Sequence, residues 1–133
     1  VYISGLLWTG IPHELLQAAE TEDIVLMTTS AILEEVQEAL VRPKFAKRIM
    51  SLNTSVGELM ESLLSIVEVM QEPKVEPVIV EDPDDDKFLA CAIASRARWI
   101  ISGDSHLLTL KRYRNVHIVT PRQFWDAQGR RFR

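Results

Sequence analysis

One stretch of the chain, residues 81–108, joins a cluster of acids to a helix and then to a short apolar strand. Pro83 lies among the acids and favours the first turn of a helix, and residues 87–97 continue with apolar side chains at helical spacing. Trp99–Ile101 then form a predicted buried strand, and the chain turns at its carboxyl end onto Asp104. Open α/β sheets bind their ligands at that end of the strands.

Helices alternate with short apolar runs along the whole chain, and the runs lack strict alternation of polar residues. This pattern predicts an α/β fold with a mainly parallel central sheet covered on both faces. The predicted strands are residues 1–4, 24–27, 99–101 and 116–119, with 78–80 as a further short strand or extended segment. The predicted helices are residues 12–20, 30–41, 55–70, 87–97 and a last one from 121, with a short basic helix or loop at 44–50.

Hydroxyl residues stand where three of these helices begin. Ser30 is the predicted N-cap of the second helix, and Ser55 and Thr120 each open a capping box, with Glu58 and Gln123 as the acidic or amide partner. In the first loop, Leu6, Leu7 and Trp8 are interpreted as core residues.

Composition indicates one domain, spanning residues 1–133, with 126–133 as a mobile tail. The 133 residues are 47% hydrophobic, which is enough to bury a core without covalent staples. The single cysteine, Cys91, excludes a disulfide framework and favours a reducing cytoplasm, and it is interpreted as a small core residue. No apolar run is long enough for a membrane span, and no secretory signal pattern is evident.

The acids at Asp84–Asp86 and at Asp104 have two interpretations. Like charges held close together repel, so such a cluster often contains a cation, and carboxylate oxygens favour Mg²⁺ or Mn²⁺. Acids in a first helical turn also stabilise the helix dipole without any metal. Spacing alone leaves both interpretations open.

Several separate stretches, in order, resemble PIN-domain proteins, in particular the branch of toxin components of toxin–antitoxin systems. They are VYISGLLWTGIPHELL, TTSAILEEVQEALVRPKF, DPDDDKFLACAIA, IISGDSHLL and VHIVTPRQFW. The resemblance implies a three-layer α/β/α fold and a metal-dependent ribonuclease with four acidic residues in its site.

By that resemblance, Glu35, Asp86 and Asp104 match the second, third and fourth family acids, as catalytic residues and as ligands of Mg²⁺ or Mn²⁺. Ser102 matches the usual Ser or Thr of the site and is expected to orient a carboxylate or a bound water. The first family acid is expected three residues upstream of Val1.

The net charge of −4 argues against nucleic acid only weakly, because five acids fall between Glu81 and Asp86, where a metal would mask them. Basic groups elsewhere are candidates for RNA phosphates, although each is also typical of a solvated face. They are Lys44, Lys47 and Arg48, then Lys111, Arg112 and Arg114, then the tail arginines.

The resemblance also implies partners, namely a cognate antitoxin and a second copy of the chain in a homodimer. Ile66 and Val69 lie beside or outside the apolar stripe of the helix predicted at 55–70. Exposed there, they would form an interface; covered by the linker between Pro73 and Pro77, they would be core.

Other functions fit the sequence less well than a ribonuclease does. An EF-hand fails because Lys87 and Ile93 occupy its Gly and Glu positions. A haloacid-dehalogenase-type phosphatase lacks the expected Thr after Asp84. A non-catalytic RNA-binding or protein-interaction module of the same fold stays as the alternative from another class. His13 is interpreted as a surface residue, and His106 as a weaker candidate for a general base, since a metal can activate water by itself.

Overall fold

The computed structural model describes residues 2–71 and 86–128, apart from the side chains of Ser4 and Asp86. The helices are α1 Tyr2–Leu7, α2 Ile11–Glu20, α3 Ser30–Leu40, a 3₁₀ turn Pro43–Phe45, α4 Ala46–Ser51, α5 Val56–Leu64, α6 Asp86–Ala94, α7 Ser105–Leu110 and α8 Pro121–Gln128. The strands are β1 Leu26–Thr29, β2 Val67–Met70, β3 Trp99–Ile101, β4 Arg112–Tyr113 and β5 Val116–Val119.

The strand pairing is mainly parallel, as the sequence predicts. β1 pairs in parallel with β2, with Leu26 opposite Val67, and β3 pairs in parallel with β5, with Ile100 opposite Ile118. The short strand β4, which was not predicted, adds to β5 in the antiparallel sense. Helix α6 contacts both β1 and β3 and therefore connects the two groups of strands.

The layers are clearest at β3, where neighbouring side chains point to opposite faces of the sheet. Trp99 makes an edge contact with Phe124 of α8, at 5.6 Å between ring centroids. Ile100, on the other face, packs in one buried cluster with Leu89 and Ala92 of α6. Helices thus cover β3 on both sides, which confirms the predicted α/β architecture with its α/β/α layers.

The helix predicted at residues 55–70 is wrong in its second half. α5 ends at Leu64, and Val67–Met70 form the strand β2. The β-branched residues Ile66, Val67 and Val69 favour extended backbone, and pairing with β1 satisfies hydrogen bonds that an isolated strand would leave open. Leu59 and Leu63 still face the core from α5, as the stripe predicts.

The strand predicted at Val1–Ser4 is also wrong, because α1 begins at Tyr2; Val1 lies outside the described residues. Tyr2, Ile3, Leu6 and Leu7 recur at helical spacing and all belong to or pack on one buried cluster. Gly5 lets α1 approach α2 closely: a Cβ built on it would lie 2.6 Å from Cδ1 of Leu16.

The phenol of Tyr2 allows the packing of α1 to be tested. Burial, followed by the nearby Cys91 thiol, raises the pKa of Tyr2 to about 12, with the Thr28 hydroxyl acting in the opposite direction. The neutral phenol is therefore favoured in the folded state. Its stabilising contribution is complete below pH 10, the ordinary pKa, and is lost as the pH rises towards 12.

We therefore expect the free energy of unfolding to fall by about 1.4 kcal/mol at pH 11 through this group alone. Denaturant melts at pH 9 and pH 11 would measure the loss in the wild type and in Tyr2→Phe, which has no phenol to ionise. An equal pH dependence in Tyr2→Phe and the wild type would show that Tyr2 is not buried as described.

Helix caps explain where three of the helices begin. The cap of α3 is Thr29 rather than the predicted Ser30: its hydroxyl accepts the Ile32 N–H at 3.3 Å. Ser55 caps α5 as predicted, accepting the Glu58 N–H at 3.2 Å. Thr120 and Gln123 form the predicted capping box in both directions, at 2.9 and 3.1 Å.

Some predictions fall on residues outside the described part. These are the segment 72–85, with its linker, its extended segment 78–80 and most of the acid cluster, and the last five residues of the chain. α8 extends to Gln128, into the segment 126–133 predicted as a mobile tail.

Within residues 2–71 and 86–128, no helix combines the length and the apolar character needed to cross a membrane.

Candidate active site

Asp104 lies three residues beyond the carboxyl end of β3, as predicted. The Ser102 N–H donates to the Val119 carbonyl at 2.9 Å, so the β3–β5 ladder extends one residue past the strand. The buried Ser102 hydroxyl then accepts the Asp104 N–H at 2.9 Å. This serine therefore fixes the turn that presents the Asp104 carboxylate.

The carboxylate of Asp104 also caps α7. Its Oδ1 atom accepts the N–H groups of His106 at 2.7 Å and Leu107 at 3.4 Å. The side chain is 41% exposed, and its second oxygen takes part in neither bond. Asp104 is thus held in one orientation by backbone donors while part of its side chain stays exposed.

Glu35 lies in the middle of α3 on a partly exposed face, with half of its side chain accessible. Its carboxylate forms an ion pair with the ammonium group of Lys87. Lys87 is the second residue of α6 and directly follows Asp86. This contact brings the Glu35 carboxylate to the first turn of α6, across a separation of more than fifty residues in the sequence.

Asp86 is the first residue of α6, one residue before the predicted start at Lys87, but its side chain lies outside the described part of the structure. Two contacts are therefore visible at the candidate site: Glu35 with Lys87, and Ser102 with Asp104. Among the described residues, no three His, Cys, Asp or Glu side chains form a group that could hold a metal ion.

The chemistry of the available donors fits a hard divalent cation. Glu35 and Asp104 offer carboxylate oxygens that are at least 41% exposed as side chains, and hard cations such as Mg²⁺ prefer oxygen ligands. The Lys87 ammonium already places one positive charge against Glu35. A metal ion bound by Glu35 would therefore have to displace this ammonium group from the carboxylate.

The histidines differ in their surroundings. His106 Nδ1 lies 3.8 Å from Oδ1 of Asp104, so it is the histidine beside the candidate site. His13, interpreted from sequence as a surface residue, is half-buried, and its Nδ1 lies 3.0 Å from the Gly5 carbonyl oxygen at the α1–α2 crossing. Cys91 is buried as predicted, with its sulfur 3.8 Å from that of Met70.

The two candidate RNA-binding groups are arranged differently. In the first, Lys44 and Lys47 are exposed, while Arg48 is half-buried and donates from Nε to the Leu7 carbonyl at 2.7 Å. In the second, Arg112 donates from Nε to the Arg114 carbonyl at 2.9 Å, and Lys111 and Arg114 both have positive φ, at 58° and 54°.

Two features of these surfaces were missed by sequence reasoning. The sequence pattern predicts Lys87 only as part of the helix that begins with acids. In the structure it also forms the ion pair with Glu35. Trp8 was interpreted as core, yet it is 44% exposed and lies beside Arg48, whose Cζ is 5.6 Å from the ring centroid. The absence of acids from residues 41–54 is a signal for a basic surface, but no local pattern ties that surface to Trp8.

Comparison with known proteins identifies one family. The sequence profile of the PIN domain matches residues 1–106, a range that includes Glu35, Asp86 and Asp104. The chain is also similar to an uncharacterized protein of Methanocaldococcus jannaschii, with 32% identity in an alignment of 133 positions that covers 93% of this chain and 84% of the relative. No solved structure matches the chain significantly.

Proposed function

We propose that this chain is a metal-dependent endoribonuclease, because it belongs to the PIN-domain family. The PIN domain is a nuclease-type fold, so a nuclease is the class of function that family membership favours. Family membership alone does not identify the substrate, the metal or the residues that bind them. We propose that the substrate is RNA, that the metal is a divalent cation and that the residues are those named below.

The observation that carries the proposal is the contact between α3 and the first turn of α6. The Glu35–Lys87 ion pair brings one candidate carboxylate to the turn that begins at Asp86. α6 also contacts β3, whose carboxyl end leads to Asp104. The three candidate acids therefore stand on elements that meet at α6, which supports a shared site.

We assign Glu35, Asp86 and Asp104 as ligands of Mg²⁺ or Mn²⁺, and Ser102 as the residue that positions Asp104. A bound divalent cation supplies a water of lowered pKa and stabilises charge on the oxygens of a phosphodiester. The chain's own part is to hold these carboxylates at one place. Ser102 does so through the Asp104 backbone, and the α7 N–H groups do so through its Oδ1 atom.

The test is a cleavage assay on single-stranded RNA with the full-length protein. We expect internal cleavage with Mg²⁺ or Mn²⁺ and no cleavage in EDTA, with activity restored by excess metal. Undiminished cleavage in EDTA would contradict the metal requirement. RNA binding without cleavage under all metal conditions would favour the alternative, a non-catalytic RNA-binding or protein-interaction module of this fold.

Metal binding should also stabilise the folded protein, because unfolding separates the candidate ligands, which are far apart in the sequence. At 100 times the dissociation constant, we expect Mn²⁺ to add about 2.7 kcal/mol to the free energy of unfolding. Thermal melts with and without Mn²⁺ would measure this in the wild type, in Asp86→Ala and in Glu38→Gln, an exposed acid on α3 outside the candidate site. The gain should persist in Glu38→Gln and be lost in Asp86→Ala; an equal gain in all three would place the ion elsewhere.

We also propose that the protein acts in the cytoplasm as the toxin of a toxin–antitoxin pair, as a homodimer inhibited by its antitoxin. The resemblance of the sequence to toxin components supports this. The proposed interface needs revision, because Ile66 packs against the core while Val69, on β2, is 50% exposed. Val69→Glu is therefore the appropriate test, and light scattering should show that it lowers the mass of the assembly while circular dichroism stays unchanged.

A further inference from the structure

An exposed tryptophan stands directly after α1. Trp8 is 44% exposed, and its ring meets Phe45 edge-on, with centroids 6.1 Å apart and planes at 65°. Phe45 is itself only partly buried and packs against the core cluster. A large flat side chain held against a second ring, with much of its surface open, is suited to contact another planar group.

Cations surround this aromatic pair. Residues 41–54 contain four basic residues and no acid, in a chain whose net charge is −4. Lys44 Nζ lies 5.0 Å from the centroid of Phe45, and Arg48 Cζ lies 5.6 Å from that of Trp8. Lys47 is exposed on the same short helix. Charge and aromatic rings therefore occur together on this surface, although they come from distant parts of the sequence.

The arrangement is fixed by a hydrogen bond between the two segments. Arg48 donates from Nε to the Leu7 carbonyl at 2.7 Å, at the carboxyl end of α1. Ile49, the next residue, is buried in the same cluster as Leu7. The relative position of Trp8 and of the basic residues is thus set by the core, so a ligand would meet a surface that is already formed.

We propose that Trp8, Phe45, Lys44, Lys47 and Arg48 form a binding surface for single-stranded RNA, called here the aromatic–basic platform. Proteins that bind single strands without sequence preference combine aromatic rings, on which bases stack, with basic side chains that contact phosphates. The platform has both. The inference rests on the proposed ribonuclease function and assigns to it a place where the substrate strand is held.

The position of the platform relative to Glu35 supports this role. α3 carries Glu35 and ends at Leu40, five residues later, or about 7.5 Å along the helix axis. The 3₁₀ turn that carries Lys44 and Phe45 begins at Pro43. The residues Lys44 and Phe45 therefore follow directly after the helix that carries Glu35.

Binding is tested by fluorescence anisotropy with a labelled single-stranded RNA of about 12 nucleotides, in EDTA so that no cleavage occurs. We expect Trp8→Ala to weaken binding about tenfold through loss of stacking. Met50→Ala is the matched control, since Met50 is 77% exposed in α4 and is not aromatic. It should bind as the wild type does. The double variant Lys44→Ala with Lys47→Ala should make the negative slope of log association constant against log salt concentration shallower by about 1.4.

A second measurement distinguishes loss of stacking from loss of fold in Trp8→Ala. Stacked bases quench tryptophan fluorescence, so RNA should quench the wild type more than Trp8→Phe, which keeps an aromatic ring against Phe45. Circular dichroism would confirm that each variant is folded. Equal RNA affinity and equal quenching in the Trp8 variants and the wild type would overturn the platform.

Failure of the platform proposal and failure of the ribonuclease proposal give different experimental results. Asp104→Asn should lose cleavage and retain RNA affinity in EDTA if both proposals hold. Normal cleavage with unchanged affinity in Trp8→Ala would contradict the platform alone. Binding of an antitoxin at Trp8 together with no measurable RNA affinity would also overturn it, by assigning the surface to a protein partner.

Discussion

Replacing Asp104 by asparagine should lower the rate of metal-dependent RNA cleavage at least about 100-fold. A catalytic metal supplies several kcal/mol of charge stabilisation, and each 1.36 kcal/mol corresponds to a factor of ten in rate. Asparagine keeps an oxygen that can accept the α7 N–H groups and is itself a good N-cap, so the fold should be retained. Initial rates of cleavage at saturating Mn²⁺, with thermal melts beside them, measure the two effects separately.

Matched substitutions on α3 and α7 sharpen this test. Glu35→Gln should lose activity as Asp104→Asn does, whereas Glu38→Gln, one turn further along the same helix, should keep it. His106→Gln should have a much smaller effect than Asp104→Asn, because the metal rather than the imidazole activates water in the proposed mechanism. Wild-type rates in both Glu35→Gln and Asp104→Asn would contradict the assignment of these ligands.

The second large effect concerns stability. Leu63 is completely buried in the cluster to which all of the helices α1 to α5 contribute, while Leu64, its neighbour, is 50% exposed. Truncation of a buried leucine removes its transfer free energy and leaves a cavity, which costs about 3 kcal/mol. We therefore expect Leu63→Ala to lower the free energy of unfolding by about that amount, and Leu64→Ala by less than about 1 kcal/mol.

Denaturant melts of the two alanine variants report this difference. The pair is informative because the substitutions have the same chemistry and adjacent positions, and differ only in burial. Equal destabilisation would mean that α5 does not present Leu63 to the core as described. A larger effect of Leu64→Ala would indicate a helix rotated about its axis.

Local patterns were sufficient for much of the fold. The capping boxes at Ser55 and Thr120 and the apolar stripe of α3 act within a few residues, so the sequence predicts these elements well. The strand β2 was missed because apolar spacing continues through the junction, and periodicity alone does not separate a short strand from the end of a helix. Its identity depends on pairing with β1, about forty residues away.

The first segment shows a different reason for error. An apolar run at the start of a chain fits a strand or a helix, and α1 is settled by tertiary contacts. Gly5 allows the close approach to Leu16, and His13 reaches the Gly5 carbonyl. The exposure of Trp8 follows from where α1 ends, which periodicity does not determine.

The candidate site was predictable in its parts but not in its contacts. The turn at Ser102 and Asp104 was expected from the strand that precedes it, and the structure adds the bonds that hold it. Glu35 has no local feature that separates it from a solvated acid; only the resemblance singled it out. Its ion pair with Lys87 joins α3 to α6, which are distant in the sequence, so the sequence alone does not predict this contact.

We propose that Glu35, Asp86 and Asp104 bind one or more divalent cations together. The most direct measurement is a crystal structure of the full-length protein grown with Mn²⁺, in which anomalous scattering identifies the ion. We expect an Mn²⁺ ion coordinated by oxygens of these three carboxylates, with the Glu35–Lys87 ion pair lengthened or broken. An ion bound elsewhere, or carboxylates that remain too far apart to share one at saturating Mn²⁺, would contradict it.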